Sequence, residues 1–168
     1  MRNSWRRWRR RLGAMARMSW SDRALAIESL GMLAAARLLV KTRGNKLVSR
    51  MGGTRVDDEA EPSGPPPVAR TVQDGTGARV GARVGAMVER ASRATWWRSM
   101  CLEKALAGKW MLRRRGVSST MYVGMARQGG EFVAHAWLVA EGQTLTGAAK
   151  TTYATLAAFR EPRKLSAR

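Results

Sequence analysis

The chain contains a single cysteine, Cys101, and a single histidine, His135, in 168 residues. One cysteine excludes an intramolecular disulfide framework and any cysteine-rich zinc site. One histidine means that a metal site would need carboxylates, and the 12 acidic residues show no ligand-like spacing around it. No metal or cofactor is implied, and a reduced, cytoplasmic setting is the expectation. Long apolar runs are also missing. The most apolar stretch, LGMLAAARLLV at 30–40, is too short to span a bilayer and carries Arg37. The arginines of the N-terminus do not open an export signal, because Arg17, Asp22 and Arg23 break up the stretch that would have to be apolar.

Negative charge is scarce. Against the 12 acids stand 31 Lys and Arg, for a net charge of +19. The segment SWRRWRRRL at 4–12 interleaves five arginines with Trp5 and Trp8, while the acids gather in DDEAE at 57–61. A basic, tryptophan-bearing tail suits phosphate contacts and base stacking, or an anionic membrane surface. It equally suits a plain solvated tail, and the rest of the chain carries no nucleic-acid-binding motif.

Three zones emerge from the pattern. Residues 1–52 are expected to form a basic helical segment. Within it Ser21 is the expected cap, Asp22 lies in the first turn, and Leu25, Leu33, Ala36 and Val40 form an apolar stripe ending at Gly44. Residues 53–78 contain EAEPSGPPPVARTVQDGTG, which reads as a Pro/Gly-rich linker without an aromatic anchor. Residues 79–168 form the chemical domain. Val80, Val84 and Val88 recur every four residues, a helical stripe interrupted by Gly81 and Gly85. A second helix is expected after a Ser99 cap, with Glu103 near its start, Arg113, Arg114 and Arg115 at its end and Gly116 as its left-handed stop. STMYVGMA and EFVAHAWLVA then alternate with period two around the turn signal Gln128-Gly129-Gly130, and QTLTG and TTYATLAAF are further strands. Helices first and antiparallel strands afterwards make an α+β fold.

Cys101 therefore falls at the second or third position of a helix. The free N–H groups and dipole there favour a thiolate, and they can also bind an oxyanion on an attacked carbonyl. His135 lies mid-strand on the face shared by Val133, Trp137 and Val139. A strand packed across the helix start would bring the two together as nucleophile and general base. Spacing alone does not separate this pair from a small buried thiol and a satisfied core imidazole.

The surrounding residues add a resemblance. Trp97, Cys101 and Leu102 in a Trp-x-x-x-Cys-Leu lead-in are followed by Ala105-Leu106 and by LRRRG at 112–116. Then come YVG at 122–124, AHAW at 134–137 and TG at 146–147. Together these pieces resemble the leader peptidase of lasso peptide biosynthesis, a transglutaminase-like cysteine protease, over about residues 79–160. The resemblance implies a papain/transglutaminase-like core with Cys101 as nucleophile and His135 as general base and acid. It implies as partners a lasso precursor peptide, a separate leader-recognition protein and the lasso cyclase, since this chain is too short to hold the recognition domain itself. The chain departs from the family at the third triad position, usually an Asp about a dozen residues after the His. Here LVAEGQTLTGAAK offers only Glu141, in an expected hairpin turn. Glu141, a hydroxyl, an amide or a backbone carbonyl is then left to orient His135, unless a dyad suffices.

Overall fold

The computed structural model describes residues 19–51, 54–55, 75–149 and 151–160. The basic tail and most of the expected linker lie outside the described residues. Among the described residues, helices α1 (Trp20–Met51), α2 (Thr76–Ala94) and α3 (Cys101–Arg114) pack on a sheet of β1 (Thr54–Arg55), β2 (Thr120–Gln128), β3 (Glu131–Ala140), β4 (Gln143–Thr146) and β5 (Ala154–Arg160).

Helix α1 is capped by Ser19, two residues before the expected Ser21. The Ser19 hydroxyl accepts the Asp22 N–H at 3.2 Å, which satisfies one of the free donors of the first turn. Ser21 lies inside the helix and its hydroxyl accepts instead from Arg83, at 2.8 Å. The helix also runs through Gly44 to Met51. An interior glycine costs only about 1 kcal/mol, too little by itself to end a helix. The apolar stripe is as expected: Leu25, Leu33 and Ala36 are buried and Val40 packs against them.

In α2 the valines face the core, with Val84 and Val88 buried beside Met87 and Ala91. The interrupting glycines have a packing reason. A Cβ at Gly85 would stand 2.6 Å from the Leu145 carbonyl oxygen, and one at Gly81 would touch the Leu145 side chain at 3.4 Å. The helix can lie against β4 only because those side chains are missing.

Helix α3 begins one residue later than a Ser99 cap implies. Met100 is the N-cap, and the Glu103 carboxylate reaches back to accept its N–H at 3.0 Å. Cys101 is thus the first helical residue. At the other end Gly116, at φ +69°, closes the helix: its N–H donates to Arg113 and that of Val117 to Leu112. Gly108 lets α3 approach β3, since a Cβ there would lie 2.8 Å from Leu138 Cδ2. Buried Lys109 donates to the carbonyls of Ser119 and Phe159, tying α3 to the ends of β2 and β5.

These strands all pair antiparallel, in the order β1-β5-β2-β3-β4. Met121, Ala136, Leu138 and Phe159 join the helices in one core, which fixes the helix-facing side of the sheet. Alternation then places Tyr122, Gly124, His135 and Trp137 on the opposite side, with Gly124 directly across from His135. Because β5 pairs with β2 and not with β4, the chain after β4 must return across the sheet. It does so over the His135 side.

Candidate functional site

Cys101 is half-buried at the start of α3, packed against the edge of the core. The helix start is held from two sides. Arg37 of α1 donates to the Arg98 carbonyl at 3.1 Å and to Glu103 at 3.3 Å. Glu103 itself is 3 % exposed, a buried carboxylate made tolerable by that guanidinium and the Met100 N–H. In the segment that precedes the cysteine, Trp96 is 90 % and Met100 55 % exposed.

His135 is half-buried, and its ring stacks against Tyr153, at 4.7 Å between centroids, with Trp137 beside both, at 6.2 Å from His135 and 6.3 Å from Tyr153. Its Nε2 lies 2.7 Å from the Gly147 carbonyl oxygen. A carbonyl only accepts, so Nε2 must carry a proton, and in the neutral ring the lone pair then sits on Nδ1. The held nitrogen is thereby assigned as Nε2. Gly147 is positioned by its backbone alone. It adopts φ +73°, and a Cβ would come 2.4 Å from the Ala136 carbonyl oxygen, so only glycine fits. His135, Trp137, Gly147, Ala148, Thr151 and Tyr153 line a half-open depression of about 190 Å³.

Glu141 lies elsewhere. It occupies the β3–β4 turn at φ +46°, and its carboxylate stands beside Gly77, where a Cβ would be 3.4 Å from Oε1. Six residues of strand, roughly 20 Å, separate its backbone from that of His135.

A set of contacts links the two helices to the His135 loop. Glu89 of α2 accepts from Lys104 Nζ at 3.0 and 3.1 Å, and from the Gly147 N–H at 3.5 Å. Lys104 lies one turn beyond Cys101. This set of groups reaches the imidazole through Gly147 but does not include the thiol, and no hydrogen bond joins Sγ to the ring. Helix α3 packs on the Leu138 side of the sheet and the His135 ring projects from the other, so the strand does not carry the ring across the helix start as expected.

Sequence reasoning missed Gly147, Glu89, Lys104 and Tyr153. A carbonyl has no residue-type signature, and an acid on one helix gives no sign that it faces a loop 58 residues on. The expected TG at 146–147 was visible, but its role was not. Among the described residues no group of three or more His, Cys, Asp or Glu is arranged to hold a metal ion.

Comparison with curated proteins and with solved structures returns no match. A family model, that of the transglutaminase-like superfamily, matches residues 30–158. The matched span runs from mid-α1 to β5 and takes in the helix headed by Cys101 and the strand bearing His135. The chain belongs to the transglutaminase-like superfamily, which includes cysteine peptidases.

Proposed function

We propose that the chain is a cysteine peptidase that removes the leader from a lasso peptide precursor. The observation that carries this reading is the imidazole of His135, whose Nε2 is held by the Gly147 carbonyl so that Nδ1 is left as the base, in a superfamily domain where Cys101 is the first residue of α3. The lasso-type residues from Trp97 to Gly147, lying within the matched superfamily span, support the narrower substrate assignment.

In this mechanism Nδ1 of His135 takes the thiol proton and Sγ attacks the carbonyl carbon before the first residue of the core peptide. The N–H groups at the start of α3, including that of Cys101, receive the oxyanion. Collapse breaks the C–N bond, and the proton returns from His135 to the departing amine. Water, activated by the same ring, then hydrolyses the thioester and frees the thiol. The released amine becomes the substrate of the cyclase. In this reading the thiol and the ring close on each other in the complex with the peptide, as catalytic hydrogen bonds often tighten there. The exposed Trp96 and Met100, in the segment leading into α3, offer such a peptide apolar surface.

The test is incubation of precursor with the chain, with and without the leader-recognition protein, followed by mass spectrometry. Cleavage at the leader–core junction is expected, and none with Cys101→Ala. A Cys101→Ser protein that cut at near the wild-type rate would show that the nucleophile lies elsewhere.

A further inference from the structure

Glu89 takes no direct part in peptide cleavage, yet its placement is specific. Gly77, Gly81, Gly85 and Glu89 form one row along α2, four residues apart. The first three lie against the β3–β4 hairpin: Gly77 meets Glu141, and Gly81 and Gly85 meet Leu145. One turn further the row reaches Gly147, and there a carboxylate replaces the missing side chain. It takes the Gly147 N–H at one oxygen and Lys104 Nζ at both.

We propose that Glu89 is a positioning residue for His135: clamped by Lys104, its carboxylate fixes the N–H of Gly147 so that the carbonyl of the same residue holds the imidazole at Nε2. The proposal rests on the reading of His135 as the general base. Gly147 needs such an anchor because its own conformation is one that only glycine adopts freely, and no side chain pins it. The Lys104 ammonium offsets the charge of Glu89, so the pair supplies position and not a net field at the ring. That division replaces the dedicated acid of a triad with two parts, a carbonyl that touches the ring and a remote ion pair that holds the carbonyl. It also ties the ring to the helix that begins with Cys101.

The single histidine and single cysteine make the test independent of any substrate. In ¹⁵N-labelled protein the one imidazole is read directly by NMR, and the wild type is expected to show the Nε2–H tautomer. Glu89→Ala is expected to shift that ring toward the mixed tautomers of a free imidazole. It should also lower kcat for precursor cleavage by about 10-fold or more, with KM little changed, as a displaced base does. Glu89→Gln, which keeps an acceptor for the Gly147 N–H, should recover much of both. A folded Glu89→Ala protein with an unchanged His135 tautomer overturns the proposal. Should that variant fail to fold, Lys104→Met loosens the same clamp and must move the tautomer in the same direction, and an unchanged ring there overturns it as well. A tautomer that responds in a protein that cuts no precursor supports the positioning role and sinks the peptidase reading instead.

Discussion

At the scale of the residue, the acid expected after the histidine is replaced by a backbone group. The ring nitrogen that a triad acid would hold is 2.7 Å from the Gly147 carbonyl, and Glu141 faces the start of α2. Glu141→Gln is therefore expected to leave the cleavage rate within about 2-fold of wild type, since a half-exposed turn carboxylate contributes little. Steady-state rates on the same precursor decide it, and a collapse in rate would give Glu141 a catalytic part. His135→Ala, by contrast, should abolish cleavage nearly as fully as Cys101→Ala, because an unassisted thiol both attacks and expels an amine poorly. A His135→Ala rate close to wild type would remove the imidazole from the mechanism.

At the scale of the element, α2 shows how a residue that weakens a helix locally can be what fixes it in the fold. Gly81 and Gly85 cost helix propensity, and they let the helix backbone come against Leu145. Gly85→Ala should destabilise the protein by about 1–3 kcal/mol, the usual cost of overpacking, because the obstructing atom is a backbone oxygen that cannot rotate away. Gly31, also helical, has open space within 4 Å of the position its Cβ would take. Gly31→Ala should accordingly stabilise by roughly 0.5–1 kcal/mol through propensity alone. Urea melts of the two variants test the pair, and equal effects would mean that propensity, not the contact with β4, governs both.

At the scale of the whole molecule, the helices are fastened to one another by ion pairs that acid will release. Arg115, just past the end of α3, donates to Glu28 of α1, and this contact holds the Glu28 carboxyl below its ordinary value of 4.5 despite partial burial. Arg83 of α2 does the same for Asp22, with help from Ser19, below its ordinary 3.8. A carboxyl whose folded value is depressed binds a proton more readily in the unfolded chain. Its contribution is present above the ordinary value and is lost as pH falls through the folded one. Thermal stability should thus drop on acidification from near pH 4.5 downward, and Glu28→Gln should flatten that part of the profile. A Tm–pH curve with the same slope in wild type and variant would show the Glu28–Arg115 contact to be energetically idle. No described helix is long and apolar enough to cross a membrane. The arginine- and tryptophan-rich start lies outside the described residues, so its expected contacts with nucleic acid or anionic lipid stay where composition left them.

What the sequence determined by itself was local. Period two over STMYVGMA and EFVAHAWLVA, the turn at Gly129-Gly130, the valine stripe of α2 and the Gly116 stop each follow from the geometry of a few consecutive residues. The α+β class follows from their order. The helix starts slipped by one or two residues: Ser19 caps α1 in place of Ser21, and Met100, its N–H taken by Glu103, caps α3 in place of Ser99. The tertiary structure alone decided how β5 inserts beside β2, and with it that the chain recrosses the sheet over His135 and brings Tyr153 and Gly147 to the ring. It also decided that Glu89 meets Gly147. These depend on contacts between residues far apart in the chain, several of them to backbone groups, and such contacts leave no mark in residue type or spacing.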